Sequence, residues 1–167
     1  MHAEALDWVR AHAVPGRVSV LDIGGRDING STRTLFPEAD WTVLDIAAGP
    51  NVDVVADAST WMPDRLYDVV VCTEVFEHTS VWPAIIRTAY AALKPGGRLV
   101  LTMAAPGREP HSAVDGGALR FGEYYANVKP ERLRDELLGA GFTDGVIDQE
   151  RRTCDVRAVA TKSGEVQ

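Results

Sequence analysis

Apolar residues along this chain follow two rhythms, short unbroken runs and stripes at three- and four-residue steps. Residues 18–23, 41–46, 52–55, 67–73 and 98–103 are runs of strand length. The valines at 69–71 mark 67–73 as a strand covered on both faces, as in a parallel sheet. Leu6, Val9 and Ala13 form a weak helical stripe that stops at Pro15 and Gly16. Trp82, Ile85, Ile86, Ala89 and Leu93 form the clearest one, with Ser80 placed to cap it, Pro83 in its first turn and Lys94-Pro95-Gly96-Gly97 breaking it. Asn29 or Ser31 is placed to cap a short helix ending near Pro37. A last helix covers 130–141, with Leu133 and Leu137 inward and Gly141 as its stop. Strand candidates 145–149 and 155–161, joined by a short charged turn, have hairpin spacing.

Strands separated by helices imply parallel pairing through right-handed crossovers. The expected fold is therefore α/β, a doubly wound, mostly parallel seven-stranded sheet with helices on both faces and a C-terminal antiparallel hairpin. No repeat or linker interrupts the pattern, and a single domain over 1–167 is expected. The stretch from about 105 to 128, rich in Gly, Pro and polar residues, is long for a connection, and such loops often carry function. Within it, the glycine content of 106–122 suits a lid.

Composition narrows the function classes. With 46% hydrophobic and 25% charged residues, a chain of 167 residues can bury a core without staples. A net charge of −7 argues against a broad nucleic-acid footprint, and Arg151, Arg152 and Arg157 are read as solvated surface. No run reaches the roughly 20 apolar residues of a membrane span, and 1–13 carries acids and a helical pattern instead of a signal peptide. The expected location is cytoplasmic. Cys72 and Cys154 are read as buried thiols in strand-like surroundings, with a disulfide left open.

An open parallel sheet binds ligands beyond the carboxyl ends of its strands. The first strand runs into Asp22-Ile23-Gly24-Gly25-Arg26, where glycine admits positive φ and lets a ligand approach the backbone. The second ends at Asp45, about twenty residues on, the spacing at which a carboxylate reaches ribose hydroxyls. Asp57 is either an acceptor for an exocyclic amine or the cap of a turn through Ser59. The fourth strand ends in Glu74-Val75-Phe76-Glu77-His78, two acids and an imidazole that are costly to bury unless put to use. Together these features point to a nucleoside ligand.

In order and spacing, Leu21-Asp22-Ile23-Gly24, Asp45, Asp57, Glu74-Val75-Phe76-Glu77-His78 and Leu93-Lys94-Pro95-Gly96-Gly97-Arg98-Leu99 resemble the class I S-adenosylmethionine-dependent methyltransferases, in their small-molecule branch. The resemblance covers about 17–104 and 130–161. It implies a Rossmann-like sheet, S-adenosylmethionine as cofactor and a small-molecule acceptor, with no nucleic acid and no membrane. It further implies that Asp22 and Gly24, with Gly25 and Arg26 in the same loop, lie beside the methionine part of the cofactor. Asp45 and Ile46 would hold the ribose, Asp57 and Ala58 would meet the adenine, and Glu74 and Val75 would line the cofactor near its sulfur. The family's first loop alternates Gly-x-Gly-x-Gly, whereas Arg26 and Ile28 stand at the later two places here. Arg26 either turns away or pairs with the cofactor's carboxylate.

Methyl transfer is an in-line displacement that depends on orientation, and a base is needed only if the acceptor must lose a proton. Candidate bases are Glu77, His78, His111, Tyr124 and Tyr125, with Asp115 and Glu123 on the same long loop. Phe121, Tyr124 and Tyr125 are placed to make the pocket wall apolar. His111 and Asp115 are too few for a metal site, and none is expected. Two rivals keep the fold. A nicotinamide-dependent oxidoreductase needs glycine where Arg26 stands, and a non-catalytic member would act through a partner.

Overall fold

The computed structural model describes residues 3–28 and 30–164. Its seven strands are β1 (Ser19–Ile23), β2 (Asp40–Asp45), β3 (Val54–Val55), β4 (Tyr67–Thr73), β5 (Leu93–Ala104), β6 (Asp144–Glu150) and β7 (Asp155–Thr161), in the spatial order β3-β2-β1-β4-β5-β7-β6. Neighbours among β1 to β5 pair in parallel, and β7 lies antiparallel between β5 and β6. The helices are α1 (Ala3–Ala11), α2 (Trp82–Ala92) and α3 (Pro130–Ala140).

Side-chain alternation along the strands builds two cores. Leu21, Ile23, Val70, Cys72, Leu99 and Leu101 pack with Trp82, Ile86, Leu133 and Leu137 of α2 and α3. Val20, Val69, Val71 and Val100 face the other way and meet Val9 of α1 and Phe36. The expected doubly wound sheet, helices on both faces and terminal hairpin are all present.

Some local expectations hold and others are corrected. Ser31 caps a 3₁₀ turn, Thr32–Leu35, its hydroxyl accepting from the Arg33 amide at 3.2 Å; Asn29 lies outside the described residues. Ser80 does not cap α2. Val81 holds that place without a side-chain bond, its amide donating to Thr79 Oγ1, and Pro83 in the first turn removes one donor that would need capping. Between β3 and β4 the chain turns without a helix; Asp57 Oδ1 accepts from the Ser59 amide at 2.8 Å. The Lys94-to-Gly97 stretch ends α2 as expected but remains tied to the sheet. Leu93 pairs with Tyr67, and Gly96 and Gly97 exchange backbone hydrogen bonds with Lys162.

Both cysteines are free, and Cys154 is half-buried in the β6–β7 turn instead of in a strand. Arg157 is not solvated. It pairs with Asp148 across the hairpin and lies over the Trp8 ring at 5.0 Å. No described helix is long and apolar enough to cross a membrane.

Candidate active site

A cavity of about 860 Å³ opens beyond the carboxyl ends of β1, β2 and β4, with part of the 105–128 loop as its far wall. Asp22, at the end of β1, is almost wholly buried and accepts from Thr32 Oγ1 at 3.0 Å. Burial pushes its carboxyl up to about 7 against the Thr32 hydrogen bond; Asp45 adds to the rise and Arg33 opposes it. Gly24 follows with φ 74°, its amide donating to Leu44 O at 2.7 Å. A Cβ there would fall 2.3 Å from Val75 Cγ2, and one on Gly25 would fall 2.6 Å from Asp22 Cγ. Both glycines let the chain pass close to its neighbours.

The Arg26 amide donates to Asp45 Oδ2 at 3.3 Å. Its stem lies against Gly49, where a Cβ would come 2.5 Å from Arg26 Cδ, and its Nε is buried without a hydrogen-bond partner. Asp45 Oδ1 accepts from the Ala47 amide at 2.9 Å. Asp57 caps its turn, and those hydrogen bonds from Ser59 hold its carboxyl below the ordinary range. Glu74 takes φ 57°, an uncommon backbone conformation for a side chain. Two contacts hold it there: its amide donates to Thr102 O and Thr102 Oγ1 donates to its Oε1, each at 2.8 Å.

The opposite wall is built from a 3₁₀ turn after β4, Phe76–His78, and from the long loop. The rings of His78, His111 and Tyr125 meet with centroids 5.0–5.4 Å apart. Burial, then the neighbouring His111, lowers the His78 imidazole to about 4, with Glu123 opposing. Glu77 is wholly buried, and neither carboxyl oxygen closes a well-formed hydrogen bond, although the Glu77 and Ala104 amides and the Arg108 charge act on it. Burial, then the Glu74 charge, pushes its carboxyl well above the usual range. Burial likewise raises the Tyr125 phenol.

Every residue expected at the cofactor lines this cavity: Asp22, Gly24, Gly25, Arg26, Asp45, Ile46, Asp57, Ala58, Glu74 and Val75. His78 and His111 line it too, whereas Glu77 and Tyr124 do not. Glu77 lies buried behind the wall. Tyr124 is 44% exposed because 123–128 alternates its side chains, the Ala126 amide donating to Glu77 O and Val128 to Ala104 O. That alternation turns Tyr125 inward instead. Phe121 is fully exposed and walls nothing, and Asp115 pairs with Arg120 at 2.5 Å on the outside of the loop. Glu123 accepts from Ser112 Oγ and the Arg120 amide, both at 2.7 Å, closing the loop on itself. Sequence reasoning missed Arg108, which lines the cavity and bridges Thr153 O and the buried Asp155 carboxylate at 2.7 and 2.8 Å. Its one visible signal was an acid opening an apolar strand.

Known structures and sequences place this geometry. The complex of DhpI with SAH superposes with a TM-score of 0.70 at 24% identity, covering 96% of this chain and 83% of that one. A Burkholderia thailandensis 1,6-didemethyltoxoflavin-N1-methyltransferase, solved with 1,6-didemethyltoxoflavin and S-adenosylhomocysteine, gives 0.69 at 16% identity over 96% and 77% of the two chains. At such identities the likeness is one of fold. In sequence, the chain is 27% identical to the ubiquinone biosynthesis O-methyltransferase of Paraburkholderia phytofirmans, covering 92% of this chain and 73% of that protein. It is 25% identical to the enzyme of that name from Pseudomonas savastanoi pv. phaseolicola, over 78% of this chain but only 61% of the relative's length. The methyltransferase-domain family matches residues 3–145, most of the sequence, and the chain belongs to that family.

Proposed function

We propose that the protein is an S-adenosylmethionine-dependent methyltransferase acting on a small molecule. The observation that carries this reading is the half-buried Asp45 carboxylate at the end of β2, facing the same cavity as the glycine turn after β1. A carboxylate there suits ribose hydroxyls. The absence of a Cβ at Gly24 and Gly25 leaves room for a ligand against the backbone, so the residues present fit this cofactor. Its sulfonium supplies an electrophilic methyl group. Asp22 would face its ammonium, Asp57 and Ala58 its adenine, and Glu74 and Val75 the region of the sulfur.

The chain's own contribution is orientation and exclusion of water. Val75, backed by the close passage of Gly24, fixes one wall, while Arg108 ties the other to β7. Orienting an acceptor in line with the reacting bond contributes several kcal/mol, on the order of 7–11 at the limit. His78 and His111 stand where an acceptor would enter, facing the cavity from the wall opposite the glycine turn. The negative net charge favours a small molecule over nucleic acid. The two free thiols suit a reducing compartment, the cytoplasm, and one continuous sheet suits a single domain.

A dinucleotide enzyme is disfavoured. Among the described residues the segment after β1 forms only the short turn Thr32–Leu35, with no α-helix to meet a pyrophosphate, and Arg26 packs on Gly49. Calorimetric titration with S-adenosylmethionine, S-adenosylhomocysteine and NAD tests the proposal. One site for each of the first two and none for NAD is expected; NAD binding alone would overturn it. Mass spectrometry of a cell extract incubated with isotopically labelled cofactor then identifies the acceptor.

A further inference from the structure

The wall opposite the glycine turn concentrates buried polar atoms that close no well-formed hydrogen bond. Both carboxyl oxygens of Glu77, His78 Nδ1 and the Tyr125 hydroxyl are buried and lack a hydrogen-bond partner. Buried polar atoms are nearly always satisfied, so four exceptions in one place call for a missing occupant. The backbone holds them together. Glu77 and His78 share the turn after β4, and the Glu77 carbonyl accepts from the Ala126 amide at 2.8 Å, which fixes the segment carrying Tyr125.

His111 reaches this point from the long loop. Its Nδ1 lies 3.1 Å from the Glu109 carbonyl, so that nitrogen carries the proton and Nε2 keeps a lone pair. An imidazole anchored to a backbone carbonyl through its other nitrogen is the arrangement that metal-ligating histidines adopt. One donor atom from each of Glu77, His78 and His111 lies within 4.8 Å of the others. Neighbouring ligands of a tetrahedral zinc stand roughly 3.4 Å apart, given bonds near 2.1 Å, so small side-chain rotations bring the three onto one centre.

We propose that Glu77, His78 and His111 form a binding site for a divalent first-row transition-metal ion at the acceptor end of the cavity. Two imidazoles with one carboxylate suit zinc, iron or nickel, whereas magnesium and calcium take oxygen ligands. Three protein ligands leave a coordination position open toward the cavity that His78 and His111 line. The consequence for chemistry rests on the methyl-transfer reading: the acceptor is a molecule whose hydroxyl oxygen can coordinate that ion. The ion would ease loss of the hydroxyl proton to water. The oxygen lone pair would form the bond to the methyl carbon while the methyl–sulfur bonding pair passes to sulfur, discharging the sulfonium.

Tag-free protein stripped with chelator and titrated calorimetrically with zinc chloride and magnesium chloride tests the site. Cobalt(II) absorption reports its coordination. One zinc per chain and no magnesium are expected. His111→Ala, a loop change away from both cores, and Glu77→Gln should each weaken zinc at least about tenfold, the loss met even for changes to outer partners of a metal site. Asp115→Asn, on the outer side of the same loop, should leave zinc binding unchanged. Absence of stoichiometric zinc, or zinc binding unaltered in folded His111→Ala protein, would overturn the proposal. Titration of metal-free protein with S-adenosylhomocysteine separates the two ideas. Zinc without the nucleoside removes the methyl-transfer reading alone, and the nucleoside without zinc removes the ion site alone.

Discussion

Replacing Asp45 with alanine probes the cofactor end of the cavity directly. Asp45 Oδ1 accepts one amide at 2.9 Å and Oδ2 another at 3.3 Å, so each oxygen retains capacity for a further donor. Two ribose hydroxyls would take that capacity up. A hydrogen bond to a charged group contributes about 1.5–3 kcal/mol. At the low end, one lost bond weakens binding about tenfold and two about a hundredfold, at roughly 1.4 kcal/mol per decade. The two amides lose their acceptor at a half-exposed turn where water replaces it. Stability should therefore fall by only about 1 kcal/mol, or about 2–4 °C in Tm. Calorimetry with S-adenosylhomocysteine and thermal melts on the same samples measure both effects. Asp53→Ala is the control: its Oδ2 accepts from the Val43 amide at 2.8 Å on the following loop, outside the cavity wall. A folded Asp45→Ala protein with wild-type affinity would refute a ribose at the end of β2. An equal loss in Asp53→Ala would trace the effect to the loop.

Three further outcomes are expected. Asp22, faced by Thr32, Asp45, Arg33 and Cys72, titrates near 7 when folded against an ordinary 3.8. Its burial costs nothing below pH 3.8, and stability is lost as pH rises to 7, by on the order of 4 kcal/mol at most. Urea melts should show Asp22→Asn gaining on the wild type at pH 8 and not at pH 4. Nucleoside affinity should rise from pH 6 to 8 in the wild type and stay flat in the variant; a flat wild-type profile would exclude a cation beside Asp22. Gly24→Ala combines a strained φ of 74° with a 2.3 Å approach to Val75, and should lose about 2–4 kcal/mol. Adding Val75→Ala should recover part of the loss, and an undiminished Tm in the single variant would contradict the packing. Trypsin should cut after the exposed Arg120, and S-adenosylhomocysteine should slow the cut if the 106–122 loop closes over the ligand; equal cutting argues against a lid.

Legibility in the sequence followed burial. β4 begins and ends where its apolar run does, because a strand covered on both faces is mostly apolar, and β7 keeps its expected ends although it carries Asp155 and Arg157. β3 shrinks to two residues, since Asp53 turns its carboxylate back to the Val43 amide. The acids at the ends of β1 and β2 stand out because a carboxylate there is expensive without a purpose. The opposite wall was not readable as a unit. It depends on His111 folding back onto His78 from a loop with no periodicity, and on which of two adjacent tyrosines turns inward. The Arg108–Asp155 pair, 47 positions apart, leaves only the acid at the start of β7 as a local trace, and nothing that points to Arg108.

β7, the last strand among the described residues, is an inner strand of the sheet. Until β7 emerges from the ribosome, β5 presents an open edge carrying Leu99, Leu101 and Met103, and β6 has no strand to receive it. A polypeptide halted between Glu150 and Asp155 would therefore offer two sticky flanks at once, whereas the finished molecule ends on a two-residue β3 and an acid-bearing β6, both poor templates for a stranger. Nascent chains stalled there should be chaperone clients, and chains in which β7 has emerged and paired should not.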